Sequence, residues 1–157
     1  MISVLIVDDS LTAREYAKYI IEQDPDLRLA GAAKNGREAI ELVAATQPEI
    51  VIIDIQMPGM DGCKATQAIM ETHPVPIILH SYLVAPEQTE SIFKAMQAGA
   101  VAIAQKPPGL GSPEAKPLVE KLVRTIKLMA AVKVVRRRPR IPRQHPAVAS
   151  DKNRQAL

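Results

Sequence analysis

A run of four apolar residues that ends directly in an aspartate constrains the fold of this chain more than any other feature. Ile50-Val51-Ile52-Ile53 leads into Asp54, and turn-forming Pro-Gly and Asp-Gly pairs follow at once. The run is too short for a helix and does not alternate with polar residues, so it predicts a strand buried on both faces. Ligands of open parallel sheets bind beyond the carboxyl ends of the strands. Asp54 is therefore the first candidate site residue.

Similar apolar segments recur along the chain, and a segment with helical periodicity follows each of them. The predicted strands are Ser3–Val7, Leu27–Ala33, the run that ends at Asp54, Pro76–His80 and Ala100–Ala104. Five alternations of strand and helix predict an α/β fold, a doubly wound five-stranded parallel sheet with five helices and right-handed crossovers.

Capping residues predict where several helices begin. Ser10 and Asn35-Gly36 precede the first two helices, and Pro86-Glu87 is predicted to open the fourth. The fourth helix is expected to carry Ile92, Phe93 and Met96 and to stop at Gly99. The fifth is expected to begin with Ser112 as the capping hydroxyl and Pro113 at the first helical position.

The composition favours an aliphatic core. The chain has no Trp, one Phe and three Tyr, although 47% of its residues are hydrophobic. This fits a helix-covered parallel sheet better than an aromatic-rich β-sandwich. The single cysteine, Cys63, excludes an internal disulfide and indicates a reducing compartment. With neither a signal peptide nor a membrane-spanning run in view, a cytoplasmic location is expected.

The net charge of +3 conceals two regions of opposite sign. Residues 1–130 carry 12 Lys or Arg against 16 Asp or Glu, whereas residues 131–157 carry 8 against 1. We therefore expect one folded domain over 1–130, followed by a flexible basic linker or tail over 131–157. The tail has no stacking aromatics, so no specific nucleic-acid recognition is expected.

Polar residues stand at the ends of three other predicted strands. Asp8 and Asp9 follow the first strand, Ser81 the fourth and Lys106 the fifth. If the first strand is central, these groups converge with Asp54 on one edge of the sheet. Two carboxylates about 4 Å apart repel by about 4 kcal/mol at an effective dielectric near 20. A divalent cation, most simply Mg²⁺, together with Lys106 would balance the three carboxylates and could hold a phosphoryl group.

These motifs resemble those of the receiver domains of two-component response regulators. The resemblance is carried by Asp8-Asp9, Asp54, Met57–Gly62, Ser81 and Lys106-Pro107. It implies a flavodoxin-like fold with strand order 2-1-3-4-5. It also implies that Asp54 accepts a phosphoryl group from a histidine kinase, that Ser81 closes on this group, and that Lys106 binds one of its oxygens.

The resemblance further implies a metal site and a set of partners. Asp9, Asp54 and the backbone carbonyl of Gln56 would ligate Mg²⁺ directly, and Asp8 would do so through water. A histidine kinase and a regulated output domain or partner protein are the expected partners. The face of helices four and five would make the output contact and could support a weak homodimer, and no membrane association is expected. The resemblance also permits a cis peptide bond before Pro107.

Within that family, the chain is most similar to the receiver half of chemotaxis protein-glutamate methylesterases. This likeness rests on Val7-Asp8-Asp9-Ser10, on residues 69–78, on Lys106-Pro107-Pro108-Gly109 and on the basic segment after the fifth helix. These 157 residues contain no Gly-x-Ser-x-Gly esterase elbow, so the receiver itself is expected only to accept and lose phosphate. Ile103 stands where many receivers carry an aromatic switch residue.

Three other functions remain open at this stage. A stand-alone receiver would act by binding a partner protein. An aspartyl phosphohydrolase would usually need Asp-x-Asp at one strand end, whereas Asp8-Asp9 and Asp54 lie on different strands. A flavin-binding flavodoxin-like protein is disfavoured by carboxylates where a phosphate loop should be.

Overall fold

The computed structural model of the chain describes residues 1–55, 57, 62–82, 89–109 and 111–135. Five strands and five helices alternate in this part of the chain. The strands are β1 Ile2–Val7, β2 Leu27–Ala33, β3 Ile50–Asp54, β4 Ile77–Ser81 and β5 Ala102–Gln105. The helices are α1 Leu11–Glu22, α2 Gly36–Thr46, α3 Gly62–Thr72, α4 Thr89–Ala98 and α5 Ala115–Met129.

All strand pairs are parallel, and the sheet order is β2-β1-β3-β4-β5. The predicted fold class and strand order are therefore confirmed. β1 and β3 lie inside the sheet, and nearly all their residues are buried, as an apolar run covered on both faces requires. The edge strand β5 is only half-buried, and Ile103 is 39% exposed.

Two aliphatic clusters cover the two faces of the sheet. On one face, α1 and α5 pack against alternate residues of the central strands, including Ile6, Ile52 and Ile78. On the other face, α2, α3 and α4 pack against the intervening residues, including Val7, Ile53 and Leu79. In these parallel strands, successive side chains point to opposite faces, so Asp8 and Asp54 continue the series that faces α1 and α5.

Helix starts followed the capping pattern in two cases and departed from it in another. Ser10 accepts a hydrogen bond from the Ala13 backbone N–H, and Asn35 accepts one from Glu38. The fifth helix begins at Ala115, later than predicted, because the Ser112 hydroxyl bonds the Glu114 carboxylate instead of a helix N–H. The predicted start of the fourth helix at Pro86-Glu87 lies outside the described residues.

The apolar residues of α4 do not all face the core. Phe93 is 61% exposed and Met96 is 39% exposed, whereas Ala95 is the buried residue of this helix and Ile92 is partly buried. A spacing of apolar residues cannot tell which side of a short helix meets the sheet when apolar residues lie on several sides. As a result, α4 presents an apolar surface to solvent.

Candidate functional site

The carboxyl ends of the strands bring three aspartates together at one edge of the sheet. Carboxylate oxygens of Asp8, Asp9 and Asp54 all lie within 4.8 Å of one another. Asp8 follows β1, and Asp54 is the last residue of its neighbour β3. Asp8 and Asp54 are largely buried, whereas Asp9 is exposed. Adjacent parallel strands thus produce the cluster.

Lys106 supplies a buried positive charge to this cluster. Its ammonium lies 2.6 Å from a carboxylate oxygen of Asp8 and 3.5 Å from one of Asp54. Burial by itself would lower the pKa of Lys106. The hydrogen bond to Asp8 and the charges of Asp54 and Asp8 outweigh burial and raise the pKa above its usual value. Lys106 therefore stays protonated at neutral pH.

Ser81 lies at the same edge and is joined to Lys106 through the backbone. Ser81 is buried and is the last residue of β4, whereas the predicted strand ended one residue earlier, at His80. The Lys106 backbone N–H donates to the Ser81 carbonyl at 2.6 Å. The Ile55 N–H donates to the His80 carbonyl, which ties the end of β3 to the end of β4.

The donor set of the cluster fits a hard divalent cation. Three carboxylates supply the oxygen ligands that Mg²⁺ prefers, and one ammonium leaves an excess of negative charge. One oxygen of Asp8 accepts from Lys106 and the other accepts from the Ser10 N–H. Asp8 is thereby less available for direct coordination than the exposed Asp9. Gln56, whose carbonyl was the remaining predicted ligand, lies outside the described residues.

Two further residues support the site and were not singled out from the sequence. The Arg14 guanidinium donates to the Asp8 carbonyl at 2.8 Å. The Tyr16 hydroxyl donates to the Pro108 carbonyl at 2.8 Å, so α1 holds the segment that carries Lys106. Tyr16 and Pro108 are 92 positions apart, and no local pattern could have paired them. The cis peptide bond permitted before Pro107 is not found, since none occurs among the described residues.

His80 is a buried polar residue beside the cluster. It lies on β4 in register with Asp54, and its Nε2 atom has no hydrogen-bond partner among the described residues. Burial, together with the nearby Lys106 charge, lowers the pKa of His80 to about 3. The imidazole is therefore neutral at physiological pH.

This burial predicts a pH dependence of stability. The unfolded chain protonates this imidazole near its usual pKa of about 6.5, whereas the folded chain does so only near pH 3. Folding stability should therefore fall as the pH is lowered through that window, by about 2 kcal/mol between pH 7 and pH 5 from His80 alone. Urea unfolding without Mg²⁺ at a series of pH values measures this slope.

The control separates the effect of His80 from that of the carboxylates, because protonation of carboxylates in acid also lowers the folding stability. His80→Leu should flatten the slope between pH 7 and pH 5, and His73→Gln at an exposed histidine is the matched substitution. An identical slope in the His80→Leu variant would contradict the burial argument, whatever the absolute stability of that variant.

Comparison with known proteins adds independent observations. Residues 4–112 match the family described as the response regulator receiver domain. The chain is 41% identical over 147 residues to a protein-glutamate methylesterase/protein-glutamine glutaminase of Nitrosospira multiformis, covering 94% of this chain and 41% of that protein. It thus spans about two fifths of this relative's length.

Two solved structures extend the comparison. The response regulator domain of Thermotoga maritima CheB is 34% identical, with a TM-score of 0.74, covering 85% of this chain and 98% of that one. A chain in the complex of the CheA3 P1 domain with CheY6 from R. sphaeroides is 29% identical, with a TM-score of 0.67, covering 83% and 98%. In the described part of the chain, no helix has the length and apolarity needed to cross a membrane.

Proposed function

Because the chain belongs to the response regulator receiver domain family, we propose that it is a phospho-accepting signalling domain of a two-component chemotaxis system. A histidine kinase phosphorylates it on Asp54, and the phosphorylated form controls an output domain of the methylesterase type. The observation that carries this proposal is the convergence of three carboxylates with the Lys106 ammonium at the carboxyl edge of the sheet.

The chemistry follows from the placement of Asp54 and Lys106. A carboxylate oxygen of Asp54 attacks the phosphorus of a phosphohistidine whose other ring nitrogen is protonated, the phosphorus–nitrogen bond breaks, and the ring leaves as a neutral imidazole. The product is an acyl phosphate on Asp54. The Lys106 ammonium, already 3.5 Å from an Asp54 carboxylate oxygen, stabilises one phosphoryl oxygen. The Ser81 hydroxyl donates a hydrogen bond to another. The site edge is partly open, since Asp9 is exposed, which gives the donor access.

Asp9 and Asp54 would hold Mg²⁺ directly, together with the Gln56 carbonyl, and Asp8 would contribute through water. When bound, Mg²⁺ supplies positive charge for the carboxylates and the phosphoryl oxygens. Asp8 keeps its hydrogen bonds to Lys106 and Ser10 in this arrangement, and so fixes the position of both.

The partners follow from the site and from the relatives. A structural relative was solved in complex with the P1 domain of a CheA protein, which supports a histidine kinase as the phosphoryl donor. The exposed side chains of Phe93 and Met96 on α4, and of Ile103 on the neighbouring β5, support the face of α4 and α5 as the contact for an output domain. The domain boundary near residue 130, the basic tail and the cytoplasmic location are part of this proposal.

Labelling with a small donor tests the proposed function. With acetyl phosphate and Mg²⁺, the chain should gain one phosphoryl group that is lost in mild alkali, as acyl phosphates are. Peptide mapping should place this group on the peptide that contains Asp54. Removing Mg²⁺ with EDTA should reduce labelling to background, because the carboxylate charge is then uncompensated. A phosphoryl group on a serine, or labelling that is indifferent to EDTA, would contradict the proposal.

A stand-alone receiver acting through protein–protein binding is the alternative within the same chemistry. It predicts the same labelling of Asp54. The two differ in the target of the phosphorylated form: a methylesterase domain added in trans should bind the labelled chain under the first proposal. If the chain is a stand-alone receiver, a partner protein without esterase activity should bind the labelled chain.

A further inference from the structure

An aromatic ring lies against the ammonium group of Lys106. Tyr82 follows Ser81 directly at the end of β4, and its ring centroid lies 4.8 Å from the Lys106 ammonium. This distance is within the range of a cation–π interaction. Although Tyr82 is 56% exposed, its ring contacts a residue that is almost completely buried. The ring therefore closes one side of the lysine's surroundings.

No other aromatic residue takes this position in the described part of the chain. The chain has three Tyr and one Phe. Tyr16 uses its hydroxyl to bind the Pro108 carbonyl, Tyr19 is 46% exposed on α1, and Phe93 is 61% exposed on α4. On β5, Ile103 is aliphatic. Among the described residues, Tyr82 is thus the aromatic side chain whose ring lies over the Lys106 ammonium.

The contacts of Lys106 must change when Asp54 carries a phosphoryl group. In the structure, three groups contact the Lys106 ammonium. They are the carboxylate of Asp8 at 2.6 Å, the carboxylate of Asp54 at 3.5 Å and the ring of Tyr82. A phosphoryl group adds anionic acceptor oxygens that compete for the ammonium. An ammonium that moves to these oxygens loses its favourable geometry over the ring.

We propose that Tyr82 is a positioning residue for Lys106, whose ring holds the ammonium in its resting place and is released when Lys106 binds the phosphoryl group. This inference rests on the proposed function. Under this inference, the ring of Tyr82, the residue after Ser81, moves when Asp54 is phosphorylated. The exposed position of Tyr82 leaves the ring free to move without disturbing either aliphatic cluster.

Tyrosine emission measures the release of the ring directly, because the chain contains no Trp and only three Tyr. Acetyl phosphate and Mg²⁺ should change the emission of the unsubstituted chain in step with phosphoryl incorporation. Tyr82→Leu should abolish the change in emission while still taking label. Tyr19→Leu, at the other exposed tyrosine, should retain it.

The labelling rate separates the cation–π contact from a merely structural role. Tyr82→Leu should label faster by roughly 3- to 10-fold, since Lys106 no longer has to leave the ring. Tyr82→Phe keeps the aromatic face and should return to the unsubstituted rate. The factor should be the same for acetyl phosphate and for the differently shaped phosphoramidate, because it reflects release of Lys106 and not access of the donor.

Three results would overturn the inference: an emission change that persists in Tyr82→Leu, equal labelling rates for Leu and Phe at this position, or a factor that depends on the donor. In each of these cases Asp54 is still labelled, and the proposed function stands. If the unsubstituted chain takes no label at all, both the proposed function and the role of Tyr82 fail.

Discussion

Asp54→Asn is expected to reduce phosphoryl incorporation to background, with both acetyl phosphate and a phosphorylated histidine kinase as donor. The amide nitrogen and oxygen keep the shape of the carboxylate, but neither is a nucleophile that can form an acyl phosphate. The substitution also removes one of three carboxylates whose oxygens lie within 4.8 Å of one another. Incorporation of radioactive phosphate into purified protein measures the effect.

The melting temperature of the variant distinguishes a chemical loss from unfolding. The substitution relieves the repulsion of Asp54 by Asp8 and Asp9 and removes the Asp54–Lys106 ion pair at 3.5 Å, and these two contributions to the stability oppose each other. Lys106 retains Asp8 at 2.6 Å. The melting temperature of Asp54→Asn should therefore not fall.

A matched substitution elsewhere completes the test. Asp26→Asn changes an exposed carboxylate that pairs with Lys127 at 3.1 Å, and it should label like the unsubstituted chain. Full labelling of the Asp54→Asn variant would remove Asp54 as the acceptor, whatever the behaviour of the control.

Gly62→Ala is expected to destabilise the fold by about 3 kcal/mol, although Gly62 is the first residue of a helix. A Cβ at this position would lie 2.5 Å from the Asp54 carbonyl oxygen and 3.0 Å from the Ile55 Cα. These are backbone atoms of β3 and its extension, so no side-chain rotation can relieve the contact. Either α3 or the end of β3 must shift, which displaces Asp54.

The expected result is a melting temperature lower by roughly 10 °C, together with slower labelling of Asp54. Differential scanning calorimetry and the acetyl phosphate assay measure the two effects. Gly109→Ala is the control, because a Cβ there would meet no atom within 4 Å. Equal melting temperatures for the two variants would show that α3 does not need the close approach at Gly62.

The architecture was predictable because its signals are local. Short apolar runs ending in polar residues mark strands buried on both faces, and helical periodicity between them requires parallel crossovers. The positions of Asp8, Asp9, Asp54 and Lys106 followed from this, since carboxyl ends of parallel strands share one edge. Their convergence needed no knowledge of side-chain packing.

Other features depend on which surfaces meet, and local pattern did not reveal them. Phe93 and Met96 have the spacing of a core face, yet α4 packs through Ala95 and leaves both exposed. The Asp-Gly pair ending at Gly62 is typical of a turn, but Gly62 is buried where α3 approaches the β3 backbone. Orientation and close approach are decided by the competition of all elements for the same core.

The run that leads into Asp54 contained enough information to place an acidic group at the functional edge of a parallel sheet, because strand length and apolar continuity act within a few residues. It could not specify what surrounds that group. Asp8 contacts Lys106 at 2.6 Å, and the Tyr82 ring lies over the same ammonium, although these residues belong to segments far apart in the chain. The burial of His80 likewise depends on segments that are distant in sequence. Such contacts arise only when the strands are assembled, since packing, and not local preference, sets the distance between distant residues.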